Sequence, residues 1–351
     1  MNNINFKIGK KTIGENSPCF IVAEMSGNHN QDIDQAYKIV DEAAKSGVDA
    51  IKLQTYTPKT LTINSNKKWF KITSGKWKGT TLYTLYQKTY TPWEWQPKLK
   101  SYAEKKGLIC FSTPFDNSAV DFLEKMNVSL YKIASFENID LELLKRIGKT
   151  KKPVIISRGL ASLEDIKLAI KTLKTAGSKN IAVLHCISSY PATLNQMNIR
   201  TMQDIQHKFK VITGLSDHSL GLTASITAVA MGAKIIEKHI TLSRKDDGYD
   251  STFSLEPKEM KQLVITIRDV EKAMGKITYK PDKQESENII FKRSLFAVKD
   301  IKKGERITYK NIKCIRPGYG ISPVYLDQII GKAAKQNIEK GSPLSWKMIQ
   351  E

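Results

Sequence analysis

Long apolar runs are missing from this sequence: no stretch approaches the roughly 18 consecutive apolar residues of a membrane-spanning helix, so no span is expected. The amino terminus, MNNINFKIGKKTIGENSPCF, has no apolar core followed by small residues, which argues against a secretory signal and for the cytoplasm. Cysteine is scarce. Cys19, Cys110, Cys186 and Cys314 lie far apart with no CxxC, the pattern of reduced, mostly buried thiols rather than a disulfide framework. No glycine-rich GxGxxG follows the first predicted strand, which argues against an open dinucleotide-binding sheet. A long basic run is also absent. The net charge of +21 comes from scattered lysine pairs such as Lys67-Lys68 and Lys302-Lys303, so the positive field suits small anions, phosphates above all, better than nucleic acid. Hydrophobic residues at 40% exclude a largely disordered chain.

What is present is a repeated unit, clearest from Val211 to His239. Two β-branched runs, Val211 to Thr213 and Lys234 to Ile236, are each followed by a histidine, His218 or His239. Between them Leu220 to Gly232 has helical spacing of apolar residues. The unit therefore reads strand, loop, helix, strand, with both histidines just past strand ends, where parallel α/β folds hold ligands and metals. Two neutral imidazoles from adjacent strands suit an open divalent-metal site that leaves room for water and substrate. With no HExxH or CxxC beside them, the spacing equally suits a turn capped through Asp217 and a core histidine at 239.

The theme recurs from the start of the chain. CFIVAEMS ends at Glu24; Asp49 to Leu53 carries Lys52 and precedes Gln54; LICFST ends at Thr113; SLYKIAS holds Lys132 and Ser135 with Glu137 beyond; PVIIS ends at Ser157; IAVLHC is followed by Ser188, Ser189 and Tyr190. Eight strands alternating with helices at a spacing of roughly 20 to 35 residues predict a (β/α)8 TIM barrel. One connection, of about 37 residues before Pro92, is long enough for a lid or binding loop. It holds Trp69, Phe70, Trp77, Tyr83, Tyr86 and Tyr90, which either cover the barrel rim or form a wall for a ligand with apolar faces. Thr91-Pro92-Trp93-Glu94 predicts the next helix start, with a cap and proline at the first helical position. The barrel is expected over residues 1–278, a polar linker over 279–292, and a small domain with glycine turns at Gly304, Gly331 and Gly341 over 293–351.

In such a barrel Glu24, Lys52, Gln54, Thr113, Lys132, Ser135, Ser157, Ser216, His218 and His239 face one mouth. Two lysines and several hydroxyls there make a site for phosphate or another oxyanion. The histidines add a metal, and Glu24 can hold a metal-bound water or act as general base.

The segments FIVAEMSGNHN, IKLQT, FSTPFD, YKIAS, GLSDHS and IEKH, with a carboxyl-terminal module containing IRPG, resemble the sialic-acid-type synthases over essentially the whole chain. The resemblance implies a TIM barrel followed by an antifreeze-like (SAF) domain. It also implies a transferase that condenses phosphoenolpyruvate with an N-acetylated amino sugar to a nine-carbon 2-keto sugar acid. EMSGNHN, TLYTLYQKTYTPWEW and SRKDDGYDSTFSLEP are most similar to the pseudaminic acid branch, whose acceptor is a 2,4-diacetamido-2,4,6-trideoxy altrose. The resemblance further implies that Lys52, Thr113, Lys132, Ser135, Ser157 and Ser216 hold phosphoenolpyruvate, with Lys52 and Lys132 stabilising its phosphoryl oxygens. His218 and His239 would bind a divalent ion, manganese, with magnesium or cobalt as substitutes, and Glu24 would lie beside it. Gln54, Tyr190 and Asp250 would meet the sugar, Asp250 as a catalytic group, and Glu137 would be a further substrate-binding residue. Arg316, in IRPG, resembles an arginine that reaches from the small domain of one subunit into the barrel of the other, implying a domain-swapped homodimer. The product would decorate a bacterial surface glycan or flagellin.

Two departures from the family pattern stand out. Ser157-Arg158-Gly159 replaces the usual Ser-Thr-Gly, and Ser188 stands where some members have asparagine. The neuraminate and legionaminate branches share the chemistry and differ in sugar. A non-catalytic carbohydrate-binding protein would need no metal beside a phosphate pocket, and a pyruvate aldolase would release no phosphate.

Overall fold

The computed structural model describes residues 4–73, 77–246 and 248–350. Residues 1–3 of the amino terminus, residues 74–76 of the long connection and Asp247 of SRKDDGYDSTFSLEP lie outside the described residues. The chain divides into two compact units, Met1–Gly275 and Lys276–Glu351.

The first unit opens with an antiparallel hairpin, β1 (Asn5–Ile8) and β2 (Lys11–Gly14). Eight parallel strands follow: β3 (Phe20–Glu24), β4 (Ala50–Thr55), β5 (Ile109–Pro114), β6 (Tyr131–Ile133), β7 (Val154–Ser157), β8 (Ile181–Cys186), β9 (Ile212–Asp217) and β10 (Ile235–His239). They close in sequence order, β10 pairing with β3, as the strand count predicts. β9 and β10 run further than their β-branched cores suggest, so His239 ends a strand and His218 directly follows one. The helices are α1 (Ile33–Ser46), α2 (Pro58–Leu61), α3 (Leu82–Thr89), α4 (Gln96–Lys105), α5 (Asn117–Lys125), α6 (Leu141–Lys149), α7 (Leu163–Ala176), α8 (Arg200–Phe209), α9 (Thr223–Ala230) and α10 (Pro257–Met274). Among the described residues no helix is long and apolar enough to cross a membrane.

Period-two alternation sorts each strand into two faces. Ile21, Ala23, Ile51, Leu53, Leu215 and Ile236 face outward into a core shared with α1, α4, α9 and α10. Tyr131, Ile133, Val154, Ile156, Ile181 and Val183 do the same toward α5 to α8. The inward residues change character along the axis. At the amino ends Phe20, Val22, Ala50, Phe111, Ile155, Ala182, Ile212 and Ile235 form an apolar plug, joined by Phe6, Ile8 and Ile13 of the hairpin. One or two steps on, the same faces carry Glu24, Lys52, Thr113, Lys132, Ser157, Ser216 and Glu237, all buried. The hairpin, which the periodicity of the first twenty residues does not predict, thus covers the apolar end and leaves the polar end open.

Gly214 lies on that inward face of β9, where an added Cβ would stand 2.1 Å from the carbonyl oxygen of Ile235. Backbone cannot yield there as a side chain does. Gly214→Ala is expected to destabilise the first unit by about 3 kcal/mol, the upper range for overpacking; an unchanged denaturation midpoint would contradict this.

The long connection is not bare loop: it contains α2, a 3-10 turn at Lys68–Phe70 and α3. The next helix starts later than expected, at Gln96 after a 3-10 turn at Trp93–Trp95, with no side-chain cap at either. Thr91 has another role, its Oγ1 lying 3.0 Å from Nε2 of buried His29. His29 Nδ1 accepts from the Gln31 amide at 3.1 Å, so the ring is the neutral Nε2–H tautomer, and burial lowers its pKa to about 4.

In the second unit, Ser294–Ala297 pairs antiparallel with Ile312–Ile315 around a core that includes Leu295, Ile301, Ile307, Ile321, Ile338 and Leu344. Gly304, Gly331 and Gly341 adopt φ of 85 to 87°, the left-handed turns anticipated for them. The unit begins at Lys276, ahead of the expected linker. Part of that stretch packs within the unit: an added Cβ on Gly318 would meet the Ile289 carbonyl oxygen at 2.3 Å. Arg316 is exposed on this unit.

Candidate active site

At the carboxyl ends of the barrel strands lies a cavity of about 600 Å³. Its floor is a buried ion cluster. Lys52 Nζ is 2.5 Å from Glu24 Oε2, 3.8 Å from Glu237 Oε1 and 3.2 Å from Thr113 Oγ1. Lys132 Nζ donates to Glu237 Oε1 at 3.1 Å, and Ser216 Oγ donates to the same oxygen at 3.1 Å. Glu24 is also held by Gln54 Nε2 and the Ser26 amide, each at 3.0 Å. Ser26 Oγ in turn donates to Asp250.

Burial and mutual charge set the protonation of this cluster. Burial lowers the Lys132 pKa, with Glu237 only partly opposing it. For Lys52 burial acts downward too, but Glu237 and Glu24 together outweigh it and hold the ammonium charged. Burial pushes Glu24 up against the pull of Lys52. Burial acts on Glu237 in the same sense, yet the ammonium groups of Lys132 and Lys52 hold it below the ordinary carboxylate range. Glu137, on the cavity wall beyond β6, is pushed up to about 7, chiefly by burial.

Both histidines are neutral. Burial lowers His218 to about 4 and holds His239 well below its ordinary value, the latter with help from its positive neighbours. His218 Nδ1 lies 2.9 Å from the Ile187 carbonyl oxygen, which fixes the N–H there and leaves Nε2 as a lone pair. His239 Nδ1 is buried without a hydrogen-bond partner and stands 3.7 Å from Asp250 Oδ2. The ring centroids are 5.4 Å apart. No group of three or more His, Cys, Asp or Glu is gathered as a metal site among the described residues. The pair therefore fits an ion that takes two protein nitrogens and fills its other positions with water and substrate.

Three more buried polar atoms on the cavity wall have no hydrogen-bond partner among the described residues: Ser157 Oγ, Glu137 Oε2 and Glu237 Oε2. Unsatisfied buried polar groups are rare in folded proteins, and four in one cavity, counting His239 Nδ1, mark a place that a polar ligand completes.

The structure brings most of the expected residues together. Lys52, Gln54, Lys132, Ser135, Glu137, Ser157, Tyr190, Ser216, His218, His239 and Asp250 all line the cavity. Glu24 and Thr113 do not; they stand behind Lys52 and act on the cavity through it. Glu24 is thus placed to hold Lys52 and Gln54 rather than to face a ligand. Glu237 is a cavity carboxylate that its position in the sequence did not single out, although the alternation 235, 237, 239 puts it on the inward face with His239. Of the six aromatic residues in the long connection, Trp77 and Tyr86 line the cavity, and Trp77 stacks on Tyr249 at 4.4 Å. Arg158 is not on the cavity wall: its Nε donates to His185 Nδ1 at 3.2 Å. Ser188 is, and its Oγ donates to Ser135 Oγ at 3.0 Å. Gly159 permits this packing, since a Cβ there would stand 2.1 Å from that of Ser135.

The chain is similar to known proteins over most of its length. The model of the NeuB family matches residues 39–279, and that of the SAF domain residues 292–350. Pseudaminic acid synthase of Campylobacter jejuni subsp. jejuni serotype O:23/36 is 40% identical over 340 residues, 97% of each chain. N,N'-diacetyllegionaminic acid synthase of Campylobacter jejuni subsp. jejuni serotype O:2 is 39% identical over 326 residues, 91% of this chain and 97% of that one. Among solved structures, the N-acetylneuraminic acid (sialic acid) synthetase of Leptospira borgpetersenii serovar Hardjo-bovis, in complex with citrate, superimposes with a TM-score of 0.73 at 33% identity, covering 82% of this chain and 95% of that one.

Proposed function

The chain belongs to the NeuB family and carries a SAF domain, and from that premise we propose that it is a pseudaminic acid synthase. In this reading it condenses phosphoenolpyruvate with 2,4-diacetamido-2,4,6-trideoxy-β-L-altropyranose and water to give pseudaminic acid and phosphate. The observation that carries the reading is the single cavity in which two buried lysines, two neutral histidines and four unsatisfied polar atoms converge.

Lys52 and Lys132 hold the phosphoryl and carboxylate oxygens of phosphoenolpyruvate, with Ser135 and Ser157 donating around them, Ser216 beside them on Glu237, and Thr113 fixing Lys52 from behind. A divalent ion on His218 and His239, manganese with magnesium or cobalt as substitutes, would supply Lewis-acid polarisation of the open-chain sugar aldehyde. C3 of the enol phosphate bonds to the aldehyde carbon, water adds at C2, and the C2–O bond to phosphate breaks. Asp250 and Glu237, both on the cavity wall, are the carboxylates placed to move the proton of that water; Glu24 positions Lys52 and Gln54. Gln54, Glu137 and Tyr190 contact the sugar. We place the reaction in the cytoplasm, where the four unpaired thiols stay reduced, and its product on a surface glycan or flagellin.

The test is phosphate release from phosphoenolpyruvate with manganese and each of three sugars: the diacetamido altrose, its mannose-configured counterpart, and N-acetylmannosamine. Release preferring the altrose is expected. Preference for the mannose-configured sugar would make the chain a legionaminate synthase, and no release would favour a carbohydrate-binding protein.

Arg316, in our reading, acts in the barrel of a second copy within a homodimer. Arg316→Ala and His218→Ala proteins, each inactive alone, should on mixing and subunit exchange regain about a quarter of wild-type activity, because half the dimers then contain one complete site. Mixing without recovery, in dimers shown to exchange, would assign Arg316 to its own chain.

A further inference from the structure

One sector of the cavity is mainly apolar. Lysines, serines and histidines come from the inner strand faces and the loops after β3, β6, β8 and β9, whereas Tyr56, Leu61, Leu85, Tyr86 and Phe115 gather beyond the ends of β4 and β5. The Tyr56 ring lies 5.7 Å from Tyr86 and 5.1 Å from Phe115, both edge to face. Its hydroxyl is engaged within the wall, 2.7 Å from Thr89 Oγ1, which itself donates to the Leu85 carbonyl at 3.2 Å. The Tyr86 hydroxyl is near enough to Glu137 to feel its charge, so the part of this sector that turns only ring and aliphatic carbon toward the cavity is Leu61, Leu85, Phe115 and the Tyr56 ring.

Its depth is set by the strand. Lys52, Gln54 and Tyr56 alternate along one inward face, and four residues of extended chain span about 13 Å. A ligand anchored at Lys52 and extending about that far along this face would reach the wall.

We propose that this sector is the specificity surface of the site: it takes a methyl-terminated substituent of the acceptor sugar and discriminates against a sugar carrying a hydroxyl there. The proposal rests on the synthase reading and adds to it the residues that choose among acceptors. A hydroxyl pressed against such a wall loses water without gaining a partner, and apolar pockets reject an added hydroxyl by about 10²-fold. Both diacetamido-trideoxy sugars end in methyl groups; N-acetylmannosamine carries hydroxyls at the matching carbons.

The experiment measures kcat/KM of the full-length enzyme with manganese for the three sugars, in wild type and in Leu85→Asn. Leu61→Asn serves as a second variant should Leu85→Asn fail to fold by circular dichroism. Wild type is expected to favour methyl-terminated sugars over N-acetylmannosamine by about 10²-fold, and the variant to compress that ratio about tenfold or more. The KM for phosphoenolpyruvate should stay within about twofold, because the lysine cradle is untouched. Equal loss with every sugar, or a raised KM for phosphoenolpyruvate, would show a merely structural wall and overturn the proposal. Wild-type preference for the mannose-configured diacetamido sugar would overturn the pseudaminic reading and leave this one standing. Preference for N-acetylmannosamine, or no turnover at all, would end both.

Discussion

Replacing Lys52 by methionine is expected to lower kcat/KM by about 10²- to 10³-fold, the usual cost of removing one preorganised cationic donor. It should also destabilise the fold. Lys52 is buried between Glu24 and Glu237, and breaking a buried ion cluster on one side costs about 3–5 kcal/mol because a charge is left without its partner. The two losses part company with pH. Burial already raises the Glu24 pKa against the pull of Lys52, and without that ammonium it rises further. A carboxyl whose folded pKa lies above its unfolded one gives stability that is present below the unfolded value and lost as pH rises through the folded value. The stability deficit of Lys52→Met should therefore be larger at pH 8 than at pH 5. Adding Glu24→Gln should recover much of it, because a neutral amide needs no counter-ion. Activity should not return in the double variant, since the phosphate still lacks its cation. Urea denaturation at the two pH values and phosphate release together decide it: a pH-independent deficit, or an active double variant, contradicts this assignment.

His218→Ala should be the converse case, a large loss of turnover with little loss of fold. Removing it takes away one of the two imidazoles proposed to hold a divalent ion, and Lewis-acid stabilisation of several kcal/mol would correspond to about 10³-fold or more in rate. The structural cost is modest. The ring gives one hydrogen bond to the Ile187 carbonyl and packs 4.4 Å from Tyr190, together worth about 1–2 kcal/mol. Manganese content after dialysis should fall with activity, while the denaturation midpoint moves little. His239→Ala should behave alike, and the double variant no worse than either, because one ion needs both nitrogens. Near wild-type turnover in His218→Ala would remove the metal site from this account.

Phosphoenolpyruvate, the proposed substrate, would enter a cavity whose lysines already have carboxylate partners. Glu237 bridges Lys132 and Lys52, so an anionic substrate must share them or shift them. That arrangement keeps two like charges buried side by side in the absence of ligand, which neither would tolerate alone.

How much of this was legible along the chain differs residue by residue. The closed barrel followed from short apolar runs recurring at regular spacing, since each βα unit buries its outward face locally. Lys52, Lys132, Ser157, Ser216 and the two histidines were legible because they sit at the ends of those runs. The hairpin plug was not, because Phe6, Ile8 and Ile13 find their partners inside the barrel and not in their own segment. Thr91 carried a helix-cap signal in sequence, and a tertiary partner, His29, took it instead. Arg158, next to Ser157 and just past the end of β7, points to His185, on the side opposite the inward Ser157.

Sequence alone therefore determined the architecture, the inward polar face and the family, for these rest on local periodicity and on residue identity at strand ends. Only the tertiary structure decided which carboxylate meets the cavity and which stands behind a lysine, and which aromatic rings of the long connection form its wall. Those depend on distances of a few ångströms between residues as far apart in the chain as Lys132 and Glu237, and no spacing within either segment encodes them.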